Sequence, residues 1–397
     1  MPYFILFIIL FSVYPFVFSQ FLPIPPIKVL GIIYFFILFV ILVCKRNLIV
    51  FPKLFNYAYF TQIFCWSAYF VFHNDSSYLT RIVLMLVVYM ALLYAYNSCN
   101  GLLLFLKLFN KLIIVMAIGG TLCFFLVLFE VVTPVFDFSN VDGRTAYCFG
   151  LTCTNTYVGN LIRYGGYFDE PGAMANWGMF ALLFNKLFIK NQKYENALVI
   201  CLFFTLSLAY YIQLFFYFFL FAKNRKKRLI QLICGVTLIV FGLSQTKGTQ
   251  YEDIYRLTVQ RFEFDDSKNK IAGDNRSNLS ALAKEQFLSA PILGVGAKKL
   301  DEIGYMADNP YEILAKDGIV GEIVTYLPLL LILYVGLQKR PDYICAVFIL
   351  FLGYLQRPFH VDFIHPIMLY LLTILILEKN KLKSYDLSQN ISCNSFL

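Results

Sequence analysis

Apolar runs long enough to cross a membrane recur along most of the chain, and this recurrence limits the possible folds more than any other feature. Of the 397 residues, 59% are hydrophobic and only 14% are charged. Because a spanning helix needs roughly 20 apolar residues, the pattern predicts an all-α polytopic membrane protein with about 12 transmembrane helices. The predicted spans are residues 3–21, 27–43, 54–72, 81–97, 112–135, 173–189, 197–222, 229–244, 319–337, 342–356 and 361–377.

Basic connectors indicate the orientation of these spans, because Lys and Arg are retained on the cytoplasmic side. Residues 197–222 have a basic connector at each end, so we predict two short crossings there, with a turn in the polar segment 207–213. Residues 1–20 lack a basic start and a small-residue cleavage site, which favours a retained first helix over a signal peptide. Both termini are then cytoplasmic.

This topology divides the chain into alternating membrane and loop regions. The net charge of +9 lies mostly in the cytoplasmic connectors, so it reports topology and does not indicate nucleic-acid binding. The predicted regions are an N-terminal transmembrane bundle (1–135), a first periplasmic loop (136–172), central transmembrane helices (173–244), a large, partly helical periplasmic loop (245–317), C-terminal transmembrane helices (318–378) and a cytoplasmic tail (379–397).

Seven arginines fall on the outward side, where the same rule predicts few. Such an excess indicates that some of them bind an anionic group. The seven are Arg81, Arg144, Arg163, Arg256, Arg261, Arg276 and Arg357.

The first outward loop ends in the segment RYGGYFDEP, residues 163–171, directly before a predicted span. Pro171 suits the first turn of a helix, and Asp169 and Glu170 would lie at its positive N-terminal end. These acidic residues either cap the helix or, together with Arg163, meet a lipid-linked phosphate and a sugar hydroxyl. Cys148 and Cys153 lie in the same loop, where a disulfide and two free thiols are equally open.

The second outward loop begins with residues 251–264, which we predict to form one amphipathic helix. Arg256 and Arg261 would lie roughly 140° apart on it, too far around the helix to bind one group together. Arg276 precedes a second predicted helix that ends before Pro291. A cation is poorly placed at a helix N-terminus, which favours a ligand-binding role, although pairing with Asp274 also explains it.

Two further features follow in the second loop. The segment ILGVG, residues 292–296, is predicted to be a tight apolar turn and lacks the Lys-Ser/Thr of a phosphate-binding loop. Asn309 is predicted to cap a helix that has Pro310 in its first turn and that continues into the membrane. Asp308, just ahead of this helix, remains available for other roles.

Three motifs in this order resemble the bacterial O-antigen polymerase/ligase superfamily, in particular its Wzy-type polymerases. They are RYGGYFDEP (residues 163–171), Arg276 followed by FLSAPILGVG (287–296), and DNPYEILAKDGIVG (308–321). The resemblance covers most of residues 110–340. O-antigen ligases usually carry His-Asn where this chain has Asp308 and Asn309, which favours a polymerase over a ligase.

The resemblance implies a metal-independent GT-C glycosyltransferase without a cofactor, in the bacterial inner membrane, with its active site facing the periplasm. Its substrate would be an undecaprenyl-diphosphate-linked oligosaccharide for lipopolysaccharide or related polysaccharide biosynthesis, and its partners membrane lipid and a chain-length regulator. A ligase acting on lipid A-core and a lipid-linked oligosaccharide flippase are the alternatives. The predicted catalytic residues are Arg163, Arg276, Glu170 and Asp308, and the predicted substrate-binding residues are Arg163, Arg276, Arg256, Arg261, Tyr164, Asp169 and Asn309.

Overall fold

The chain is mostly helical, as the sequence predicts. The predicted span 3–21 lies outside the residues that the structure describes, and so does most of the span 27–43. The structure is a computed structural model that describes residues 49–98, 101–139, 144–168, 170–221, 225–249, 252–266, 270–272, 277–304, 309–356 and 364–378, with isolated positions between 33 and 44.

Helices account for most of the described residues, and short strands occur only in the two segments predicted to be loops. The helices are α1 (Lys53–His73), α2 (Ser76–Asn97), α3 (Gly101–Leu128), α4 (Pro171–Phe184), α5 (Gln192–Phe203), α6 (Leu208–Phe221), α7 (Arg225–Ser244), α8 (Glu252–Leu257), α9 (Ser277–Ser289), α10 (Ala297–Ile303), α11 (Glu312–Thr325), α12 (Leu327–Lys339), α13 (Pro341–Gln356) and α14 (Ile364–Leu377).

Within the described ranges, three helices are long and apolar enough to cross a membrane: α2, α3 and the continuous segment Glu312–Gln338, which combines α11 with α12. This is fewer than the sequence predicts, so the topology of about 12 spans is not confirmed. Helix length is one reason. At 1.5 Å per residue, α5 and α6 are only about 18 and 21 Å long, whereas the apolar layer of a bilayer is about 30 Å thick.

Several helix boundaries differ from the predicted spans. The segment 197–222 does break into two helices, but the break lies at residues 204–207 instead of 207–213, with Leu206 at a φ of 50°. Helix α3 begins at Gly101, so Lys107 and Lys111 lie within it and not in a cytoplasmic connector. Most residues before and after these lysines are apolar, so the helix continues through them. A span predicted from the longest uncharged run therefore begins too late.

The centre of the helical bundle is α4. All of its residues except Gly172 are buried, as expected for a helix that is apolar on every side. It packs against α3, α5 and α6, and α13 contacts α6. Because α4 begins at Pro171 with Glu170 as the preceding cap residue, the predicted helix start is confirmed. The Glu170 side chain, however, makes no capping hydrogen bond.

The first loop contains short antiparallel strands. The strands β1 (Phe136–Ser139), β2 (Thr145–Cys148) and β3 (Cys153–Thr154) form one sheet, and β4 (Tyr157–Val158) pairs with β5 (Leu161–Ile162). Cys148 and Cys153 lie directly opposite each other across β2 and β3. The structure has no disulfide bond between these two described residues, and both side chains are buried.

Mild oxidation is expected to join Cys148 to Cys153. The Cys148 carbonyl accepts from Val135 and the Cys153 N–H donates to Gly166, so the two cysteines form a non-hydrogen-bonded pair, with Cα atoms typically about 4.5 Å apart. A hydrogen bond from the Cys153 thiol lowers the pKa of Cys148 to about 7. The rate of thiol loss, measured by mass spectrometry, should therefore rise as the pH approaches about 7 and level off above it, since the thiolate reacts.

The control is Cys148→Ser, in which this loss should disappear. A rate that stays constant between about pH 6 and about pH 8 would contradict the thiolate assignment.

The second loop corrects one prediction. Residues 251–264 do not form a single helix: α8 ends at Leu257, a 3₁₀ helix follows over Val259–Phe262, and the strand β6 (Phe264–Asp265) pairs with β7 (Lys270–Ile271). Thr258 lies between the two helices with a φ of −116° and a ψ of −85°, and its hydroxyl donates to the Ile254 carbonyl. This side-chain bond competes with helix continuation.

Candidate functional site: a buried ion pair at a broken helix

Helix α11 is interrupted at Gly318, where the sequence predicts a helix that runs on without a break. Gly318 has a φ of 67° and a ψ of −173°, a backbone region accessible almost only to glycine. A break in a helix at membrane depth leaves backbone groups without their intrahelical partners, and these groups need other partners. The segment 291–296, predicted as a tight apolar turn, supplies them.

On the C-terminal side of the break, two amide groups donate to this turn. The Ile319 N–H donates to the Pro291 carbonyl at 2.9 Å, and the Val320 N–H donates to the Ile292 carbonyl at 3.2 Å. These bonds replace those that the N-terminus of the second half-helix lacks.

On the N-terminal side, the turn donates and the helix accepts. The Val295 N–H donates to the Ala315 carbonyl and the Gly296 N–H to the Lys316 carbonyl, both at 2.9 Å. The Tyr69 hydroxyl donates to the Asp317 carbonyl at 2.5 Å. The segment 245–317, which the sequence predicts to face outward, is thus joined to the helical bundle through the broken helix.

The break places the Asp317 side chain beside Arg81 of α2. Arg81 Nη1 donates a hydrogen bond to Asp317 Oδ2 at 2.7 Å. The exposed fractions of the two side chains are 3% and 0%. The Tyr78 hydroxyl donates to Asp317 Oδ1 at 2.8 Å, so both carboxylate oxygens have a donor. The guanidinium carbon of Arg81 lies 4.7 Å from the centre of the Trp66 ring and 4.8 Å from that of Tyr78.

The sequence places Arg81 at an outward helix end, and the structure corrects this. Helix α2 begins at Ser76, capped by Asp75, so Arg81 lies in the second turn with its side chain inside the bundle. The cap and the buried pair together explain why a polar segment begins a helix otherwise made of apolar residues.

A small cavity lies against Arg81. Its water-accessible space is about 40 Å³, enough for about three water molecules. Leu84, Thr325 and Pro366 are its half-buried residues. The complete lining is Gln62, Trp66, Arg81, Leu84, Met85, Thr325, Tyr326, Pro328, His365, Pro366, Leu369 and Tyr370.

A larger polar cup lies at the α1–α2 turn, against α10. Its volume is about 750 Å³, and its lining is Phe70, Asn74, Asp75, Ser76, Ser77, Thr80, Lys298, Asp301 and Glu302. Asp75 joins the two sides of the cup by accepting from the Ser77 N–H at 2.9 Å and the Lys298 N–H at 2.8 Å. Burial by itself raises the pKa of Asp75, but these hydrogen bonds outweigh it and bring the pKa below its usual value.

The predicted site residues of the first loop have different environments. Tyr164 is fully buried, its hydroxyl donates to the Cys201 carbonyl at 2.6 Å, and its ring packs on Gly120, which gives it a packing role. Arg163 is half-buried, and its backbone carbonyl accepts from the Thr154 hydroxyl at 2.5 Å. Glu170 is half-buried at the start of α4. Asp169 lies outside the described residues.

In the second loop, Asn309 is fully buried and its Oδ1 accepts from the Tyr311 N–H at 2.9 Å. This bond closes a turn that precedes α11. The cap residue of α11 is Tyr311 and the helix begins at Glu312, so the predicted cap position is wrong by two residues. Arg256 is exposed, and its Nη1 lies 3.8 Å from Asp253 Oδ1. Arg261 lies in the 3₁₀ helix and not on one helix with Arg256. Arg276 and Asp308 lie outside the described residues.

Sequence reasoning missed the pairing of Arg81 with Asp317. The available signal was Asp317 and Gly318 within an apolar segment, because a carboxylate in a span requires a cationic partner. Among the described residues, no three His, Cys, Asp or Glu side chains are grouped to hold a metal ion. Comparison with known proteins gives no matching family model and no matching curated protein.

Proposed function

We propose that this chain is a membrane glycosyltransferase that polymerises lipid-linked oligosaccharide repeat units of a bacterial surface polysaccharide. The observation that carries the proposal is the polar cup of about 750 Å³ between the α1–α2 turn and α10. Its volume falls within the range of small-molecule sites, and its hydroxyl, amide, carboxylate and ammonium groups suit sugar hydroxyls. Three motifs that resemble those of Wzy-type polymerases support the same function.

The proposed reaction joins two lipid-linked glycans at the periplasmic face of the inner membrane. A hydroxyl of the acceptor sugar attacks the anomeric carbon of the donor, the bond to undecaprenyl diphosphate breaks, and the diphosphate leaves with the electron pair. Arg163 and Arg276 are proposed to bind the diphosphate, because guanidinium groups bind phosphate bidentately. Arg256 or Arg261 is a weaker third ligand.

The acceptor hydroxyl must release a proton, and Glu170 or Asp308 is proposed to accept it. Glu170 is half-buried at the N-terminus of α4, and its side chain makes no capping hydrogen bond to that helix. Asp169 and Asn309 are proposed to contact the sugars. Given its burial, Tyr164 would act by holding the loop against α3.

Cells that lack their own polymerase provide the test. We expect this chain to restore long glycan ladders, and Arg163→Ala or Arg276→Ala to leave mostly single-repeat products at unchanged protein levels. The exposed Arg340→Ala is the matched control and should preserve the ladder. Glu170→Gln and Asp308→Asn identify the base, since an amide that keeps full activity excludes that residue. Long ladders in both arginine variants would refute the diphosphate assignment.

Transport of a lipid-linked oligosaccharide is the second candidate, and one observation favours it. The broken helix α11 and the buried Arg81–Asp317 pair lie within the bundle, and transporters often bind their substrates at interrupted helices. Vesicles containing the purified protein distinguish the two functions. Movement of a labelled lipid-linked oligosaccharide across the bilayer without glycan elongation would favour the transporter.

A further inference from the structure

The guanidinium of Arg81 has one edge in use and one edge open. Nη1 bonds to Asp317, whereas Nε and Nη2 are buried without a hydrogen-bond acceptor among the described residues. Nε and Nη2 carry the parallel N–H donors of the guanidinium fork, the edge that binds carboxylate and phosphate bidentately. Leaving these charged donors unsatisfied is energetically unfavourable, so the open edge requires an acceptor.

Arg81 lines the cavity of about 40 Å³, and Thr325 of α11 lines it too. The Thr325 hydroxyl oxygen is also buried without a hydrogen-bond partner among the described residues. Trp66 and Tyr78 hold the guanidinium through their rings, and Asp317 fixes its other edge. The donors are thus held in place before any ligand binds.

The lining of the cavity indicates the kind of acceptor. Apolar side chains, among them Leu84 and Leu369, line the cavity beside the arginine, as a lipid chain attached to the anion would require.

We propose that Arg81 Nε and Nη2, with the Thr325 hydroxyl, form a binding site for the oxygens of a phosphate group. The group can come from a phosphate-bearing lipid or from free phosphate in water, and the apolar lining favours the lipid. The site uses other residues than the diphosphate binding proposed for Arg163 and Arg276. It does not depend on glycosyl transfer, since it requires binding only.

Intrinsic fluorescence offers a direct measurement, because the chain has only two tryptophans and Trp66 contacts Arg81. In a Trp177→Phe background, Trp66 is the sole reporter. The full-length protein is purified in a maltoside detergent, which contains no phosphate, and titrated with a C15 prenyl phosphate, with the C15 prenol or with inorganic pyrophosphate. We expect a saturable change with the prenyl phosphate and none with the prenol. A saturable change with pyrophosphate but not with the prenyl phosphate would identify free phosphate as the source.

The variant Arg81→Lys tests whether the two parallel N–H donors of the guanidinium are needed for binding. Lysine retains the charge opposite Asp317 but lacks the two parallel donors, so phosphate affinity should fall about tenfold or more. The same change at the exposed Arg340 is the matched control and should leave the affinity unchanged. Thr325→Val provides a second variant with an intact ion pair and should weaken binding several-fold.

Two results would overturn the proposal. One is the absence of a saturable change with either phosphate probe, which would mean that water alone occupies the cavity. The other is unchanged affinity in Arg81→Lys and Thr325→Val at wild-type melting temperatures. If this chain fails to restore glycan ladders in cells without their own polymerase but still binds phosphate, that result counts against the proposed function and not against this site.

Discussion

Replacing Arg81 by methionine is expected to lower the free energy of unfolding by about 3–5 kcal/mol, because it leaves the Asp317 carboxylate buried without a cation. The pair has exposed fractions of only 3% and 0%, so solvent screening does not reduce the effect. An exposed pair would contribute only about 0–1 kcal/mol. Unfolding of the purified protein by SDS, followed by circular dichroism, measures the change.

The double variant Arg81→Met/Asp317→Asn is the control. Asparagine has nearly the volume of aspartate, carries no charge and keeps an oxygen that can accept from the Tyr78 hydroxyl. Most of the lost stability should therefore return. If the double variant is as unstable as Arg81→Met, loss of packing rather than the unpaired charge explains the effect.

Gly318→Ala is expected to have the second large effect, a loss of about 3 kcal/mol or more. A Cβ at position 318 would overlap the Ile292 carbonyl and lie 2.6 Å from the Gly294 nitrogen. These are backbone atoms of the turn that satisfies the broken helix, so they cannot move without breaking its hydrogen bonds. The same unfolding assay measures the loss, and faster proteolysis of the outward segment 245–317 should accompany it.

Gly304→Ala is the matched control, since Gly304 has a φ of 122° and a ψ of 175° in the same backbone region. Among the described residues, and apart from its chain neighbours, no atom lies within 4 Å of a Cβ built there. The control therefore includes the dihedral strain without the close approach, and it should destabilise the protein less than Gly318→Ala. Equal losses would show that strain alone makes glycine necessary at position 318.

Local sequence signals predicted several elements correctly. Pro171 placed the start of α4, because proline suits a first helical turn, and Pro291 follows the end of α9. The break within residues 197–222 was predicted from charge at both ends and a polar interior, although its position was several residues off. Each of these features depends on residues close together in the chain, which is why sequence patterns detect them.

Features that depend on distant residues were not predictable in the same way. The helix pattern of residues 308–321 gave no sign of a break at Gly318, because the break is compensated by a turn more than 20 residues earlier. Arg81 and Asp317 are 236 positions apart, and the pattern at either position indicates only an isolated charge. For Arg163 and Glu170, the motif predicted their position just before a helix. Only the tertiary structure showed that both side chains are half-buried.

By itself, the sequence determined that this is a largely helical membrane protein with charge concentrated in its loops, because apolar content and the local signals of helix starts act over a few turns. Only the tertiary structure showed that Arg81, one of the seven predicted outward arginines, is buried. The Arg81 side chain lies inside the helical bundle because the break at Gly318 places the Asp317 carboxylate beside it. The physical reason is that a buried charge is tolerated only with its partner, and chain topology chooses that partner.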